Sequence, residues 1–199
     1  AAAVNGKIQN QIDPGGGTPT GASLAALGGY ASLHVADRPN FVLQLTDGAP
    51  NCNSTLDRVS CQCTANKVPE GTPPVLTCPS STANQCLDKA GVVDAVKALR
   101  DNGGVNTIVV GFGAEAAASS GNAADVLTAA ARAGGMERTC PNGTDAECDA
   151  AVAGSCNQAT KSCTVPYYKA ADGPALTAAL VKIGTLVGVG DPCAYTLDA

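Results

Sequence analysis

The chain has 199 residues, the size of one domain carrying insertions. Its core must be built from Val, Leu, Ile and Ala, because there is no Trp and only two Phe. A net charge of −5, with twelve basic residues scattered along the chain, argues against a nucleic-acid partner, which needs clustered Lys and Arg. No apolar run of about 18 residues is present to span a membrane, and no signal peptide is recognisable at the start.

Residues 1–17 read as a short amphipathic piece followed by a glycine loop. A helix is predicted after Thr18-Pro19-Thr20, with Thr18 as a capping residue and Leu24, Leu27 and Ala31 at helical spacing. Residues 41–46, FVLQLT, read as a buried strand that stops at Asp47-Gly48. A proline- and cysteine-rich excursion occupies 49–86. A helix over about 85–101 ends at Gly103-Gly104, and 105–112, VNTIVVGF, is a second buried strand. A third helix is expected over 122–133 and a second cysteine excursion over 140–163. Residues 165–169 suggest a short strand, and Asp172 an N-cap for a last helix bearing Leu176, Leu180, Ile183 and Val187. Strands alternating with helices predict a single α/β domain over 1–199: a doubly wound, mostly parallel sheet with helices on both faces and two disulfide-rich insertions.

Ten cysteines at this density indicate an oxidising, extracytoplasmic setting, and their even number permits complete pairing. Zinc is the weaker reading, since Cys61 and Cys63 are one residue apart and the single histidine, His34, is distant. The expectation is that all ten are oxidised and that the four from Cys140 to Cys163 pair among themselves. The five in 49–86 then need one distant partner, for which Cys193 remains.

In an open parallel sheet, ligands bind at the carboxyl ends of the strands. Asp47 stands there, and Thr18 lies in the glycine loop before the preceding helix. Carboxylate and hydroxyl are hard oxygen donors suited to Mg²⁺, Mn²⁺ or Ca²⁺. A strand-end Asp-Gly also serves as a plain turn, and a Thr before a helix as a plain cap. Enzyme readings lack parts. His34 has no Gly-x-Ser-x-Gly nucleophile to serve, Gly111-Phe112-Gly113 does not continue as a dinucleotide fingerprint, and there is no P-loop lysine pattern. Asp145, Glu147 and Asp149 read as a solvated acidic loop.

The strings GGGTPTGASL (15–24), LQLTDGAPN (43–51) and TIVVGFG (107–113) resemble von Willebrand factor A-type domains, most closely cysteine-rich bacterial versions on cell-surface proteins. The resemblance implies a metal-ion-dependent adhesion site in which Thr18 binds a divalent cation through its hydroxyl and Asp47 binds it directly or through water. It further implies a protein or surface ligand that offers an acidic side chain, and a secreted, periplasmic or cell-surface location. The family's Asp-x-Ser-x-Ser run is absent from this chain, which leads to the expectation that the N-terminal part of the domain lies outside it. The alternative is a structural or assembly domain with a degenerate, metal-free site.

Overall fold

The computed structural model describes residues 17–57, 61–64, 86–113 and 122–188. These described residues form a mixed α/β structure with a three-stranded parallel sheet and three disulfides among them. Helix α1 spans Thr20–Leu27, followed by a 3₁₀ turn, Ala31–Leu33. Strand β1 is Asn40–Thr46, α2 is Lys89–Gly103, β2 is Val105–Phe112 and α3 is Asn122–Ala133. The second cysteine excursion contains α4 (Asp145–Cys148), β3 (Cys156–Asn157) and β4 (Ser162–Cys163). Strand β5 (Tyr168–Ala170) and helix α5 (Gly173–Leu186) complete the described elements.

The sheet order is β1-β2-β5, with β2 central. Seven residue pairs, from Asn40↔Val105 to Thr46↔Gly111, join β1 to β2. The continuous apolar run of β2 is explained by burial on both faces. Val105 and Val109 join one core cluster with Leu24, Val92, Val96 and Leu127 of α1, α2 and α3. Ile108 and Val110 point the other way, into a smaller cluster with Ile183 of α5. Strand β1 is less evenly covered: Val42, Gln44 and Thr46 are buried, whereas Leu43 and Leu45 are 45% and 50% exposed.

Local chemistry explains the boundaries. Gly28-Gly29 stops α1 at Leu27, so the expected continuation to Ala31 is replaced by the 3₁₀ turn. Asp88 caps α2 by accepting the Gly91 N–H at 3.1 Å, which sets the helix start at Lys89. The α2 C-cap, Gly104, takes the left-handed conformation, φ 62°, where a side chain would be strained. Asp172 caps α5 by accepting the Ala175 N–H at 2.8 Å, as expected. The last strand is shifted to Tyr168–Ala170 because Pro166 has no N–H for a ladder. On α5, Ile183 is buried but Leu180 is 40% exposed, so only part of the expected apolar stripe meets the sheet.

The cysteine excursion after α3 pairs within itself, through Cys140–Cys156 and Cys148–Cys163. Arg138 clamps this knot to the sheet. Its guanidinium donates to the carbonyls of Cys148, Glu147 and Tyr167 and lies 5.4 Å from the Tyr168 ring centroid. Lys169 of β5 adds an ion pair to Asp149 at 2.9 Å. The knot's acids are therefore engaged rather than merely solvated. Asp145 accepts the N–H groups of Cys156 and Gly154, and Glu147 forms a capping box with Thr144. In the first excursion Cys61 bonds to Cys86. Complete oxidation is not observed, since Cys52 and Cys63 carry free thiols. Cys63 faces Cys86 through a backbone bridge, but the Cys86 sulfur is already taken by Cys61. The expected partner Cys193, and Cys78, lie outside the described residues.

Candidate functional site

The carboxyl end of β1 meets the loop that leads into α1. Asn51 and Thr18 hold the two segments together reciprocally: Thr18 N–H donates to Asn51 Oδ1 at 2.6 Å, and Asn51 N–H donates to the Thr18 carbonyl at 2.8 Å. The glycine before Thr18 is needed for this approach. A Cβ at Gly17 would collide with Cys52 Sγ and Asn51 Oδ1. Thr18 therefore joins two loops through its backbone instead of capping α1, where Pro19 is the cap residue and no side-chain cap bond forms. Its side chain is left half-buried at the junction.

Asp88 anchors the same loop from below. It is only 3% exposed. Its N–H donates to the Pro50 carbonyl at 2.9 Å, and its carboxylate accepts Asn53 Nδ2 at 2.9 Å. A Cβ at Gly21 would lie 2.5 Å from Asp88 Oδ2, so α1 rests directly on this carboxylate.

Thr18 and Asp47 line one cavity of about 610 Å³, which also runs beneath Leu24 and Leu27 of α1 and along β1. The structure thus brings the two sequence-predicted residues to one edge of the sheet. Asp47 is exposed, and its carboxylate is engaged by no hydrogen bond or ion pair among the described residues. In kind, a free carboxylate and a hydroxyl fit a hard divalent cation. In number they supply two of about six positions, leaving the others to water or a partner.

Other candidates do not assemble. His34 is exposed, with Nε2 3.0 Å from the Gly28 carbonyl, and no acid or nucleophile completes a triad around it among the described residues. The Sγ atoms of Cys140, Cys148 and Cys156 lie within 4.8 Å of one another, a spacing that would suit a metal–thiolate centre. All three are consumed in disulfides and offer no thiolate while oxidised. Among the described residues, no helix is long and apolar enough to cross a membrane.

Sequence reasoning missed Asn51 and Asp88. An aspartate immediately before an apolar-periodic segment is an N-cap signal that would have marked Asp88. Asn51 carries no such signal, because its role depends on a contact 33 residues away. The chain matches no family description, no curated protein and no solved structure.

Proposed function

We propose that the chain is an extracytoplasmic ligand-binding module of the von Willebrand factor A type, and not an enzyme. Its binding surface is the sheet edge where Asp47 and Thr18 meet. The carrying observation is that these residues line one cavity while the Asp47 carboxylate is left unengaged. A divalent cation held by the Asp47 carboxylate and the Thr18 hydroxyl would keep open positions for an acidic group of a protein or surface ligand. The helices packed on both sides of β2 support a doubly wound layout. Three disulfides support an oxidising location, such as a cell surface or periplasm.

Isothermal titration with Mg²⁺, Mn²⁺ and Ca²⁺ tests the reading. Weak saturable binding of at least one cation, abolished by Asp47→Ala, is expected. Absence of binding by all three would favour the second reading, a structural domain with a degenerate site. That reading draws on the shortage of protein ligands: Thr18 and Asp47 alone do not complete a coordination shell.

A further inference from the structure

The first cysteine excursion gathers three sulfurs around one bond. Cys61 is bonded to Cys86, with their Cα atoms 5.6 Å apart. Cys63 carries a free thiol and lies opposite the same Cys86 across an antiparallel bridge. Beside that bridge the Leu87 N–H donates to the Gln62 carbonyl at 2.7 Å, which makes Cys63 and Cys86 a pair with no hydrogen bonds between them. Residues opposed in this way have Cα atoms about 4.5 Å apart, inside the range of roughly 4.4–6.8 Å that a disulfide spans. Cys86 therefore stands within bonding reach of both Cys61 and Cys63. All three pack in one cluster with Leu56.

The two competing positions differ in access. Cys63 is 1% exposed, whereas Cys61 is half-buried. A neutral thiol packs as a small apolar group, so the buried position suits the free cysteine at rest. Exchange between the two positions needs no outside oxidant or reductant. The Cys63 thiol loses its proton and its sulfur attacks Cys86 Sγ. A Cys63–Cys86 bond forms, the Cys61–Cys86 bond breaks, and the electron pair leaves on Cys61, which then takes up a proton. The departing thiolate forms at the more exposed of the two sites, where a charge is better solvated. The numbers of disulfides and thiols are unchanged, but a buried thiol has become an accessible one.

We propose that Cys61, Cys63 and Cys86 form a masked thiol-attachment site for a small disulfide of the glutathione class. The resting chain hides its thiol at Cys63. Exchange moves it to Cys61, which captures the ligand as a mixed disulfide: the Cys61 sulfur attacks one ligand sulfur, and the other leaves as a thiolate and is protonated. The half-buried setting of Cys61 favours a small disulfide over one carried by a protein. Cys52, also a free thiol, stands apart from this group, because its Sγ lies against Gly17 at the junction with Asn51.

Incubating the folded, unreduced chain with oxidised glutathione, quenching with acid and mapping unreduced peptides by fragmentation mass spectrometry tests the site. Glutathione on Cys61 together with a Cys63–Cys86 bridge is expected. Cys63→Ser removes the attacking sulfur and should abolish glutathione at Cys61, with the Cys61–Cys86 bridge and the circular dichroism spectrum intact. Cys61→Ser supplies an independent check, since Cys86 should then be found bonded to Cys63. Glutathione on Cys63 beside an intact Cys61–Cys86 bridge would overturn the proposal. So would glutathione on Cys61 that persists in Cys63→Ser, a bridge from Cys63 to Cys78, or the absence of glutathione from both Cys61 and Cys63. An unbonded Cys86 in Cys61→Ser would overturn it as well.

Discussion

Replacing Asp88 by alanine should loosen the candidate site from beneath, and its size can be worked from the contacts. The substitution removes the N-cap of α2, worth about 1 kcal/mol. It also removes the acceptor for Asn53 Nδ2, a charge-assisted bond. Such bonds contribute roughly 1.5–3 kcal/mol, but Asn53 is half-buried and regains water, so about 1 kcal/mol is the expected share. The total, about 2 kcal/mol, is a sizeable part of an ordinary domain's stability. It corresponds to a fall in Tm of roughly 4–8 °C for a chain of this size. Urea unfolding followed by circular dichroism reads the loss directly. Asp88→Asn keeps a side-chain oxygen for the Gly91 N–H and should lose less than about 1 kcal/mol. A change below about 0.5 kcal/mol for Asp88→Ala, or equal damage from both variants, would refute the assignment of Asp88 as cap and loop anchor.

Removing the Cys140–Cys156 bridge with a double serine variant should cost about 3 kcal/mol, since it closes a loop with a sequence separation of 16; a thermal unfolding curve matching the parent's would contradict this. The knot should also be acid-sensitive. Backbone N–H groups of Cys156 and Gly154 hold the Asp145 carboxyl below its ordinary range, and the Lys169 ammonium does the same for Asp149. Groups with depressed folded-state pKa contribute fully above the unfolded value, about 4, and lose that contribution as pH falls through the folded value. Stability of the knot amides by hydrogen exchange should therefore drop below pH about 4, and Asp145→Asn should flatten that drop; an unchanged profile would count against the carboxylate network. Gly17→Ala should weaken the loop junction, because its methyl would meet Cys52 and Asn51; two-dimensional NMR should show shifts at Thr18 and Asn51, and an unperturbed spectrum there would show that the junction tolerates a side chain.

The elements that could be read from the sequence are those whose signals are local. Strand β2 announces itself as a continuous apolar run, and α5 by its apolar spacing and its Asp172 cap. The self-contained pairing of the second cysteine cluster followed from short closed loops, and it is observed. What could not be read depends on distant contacts. Thr18 looks like a cap in sequence, but its N–H and carbonyl are recruited by Asn51. The acids around Cys148 look like a solvent-facing run, yet Asp145 accepts from Gly154 and Cys156 and Asp149 pairs with Lys169 across the knot, while Glu147 is held locally by its capping box with Thr144. Complete cysteine pairing was expected from an even count, which carries no information on which sulfurs come within reach; Cys63 lies opposite a cysteine that is already bonded.

A cation-dependent binding edge formed by Asp47 and Thr18 is open to paramagnetic broadening by Mn²⁺, read in amide NMR spectra. At low ion concentration selective broadening is expected at Thr18–Thr20 and Asp47–Gly48, lost in Asp47→Ala while the rest of the spectrum is unchanged. Broadening centred on the acidic residues near Cys148, or persisting in Asp47→Ala, would contradict it.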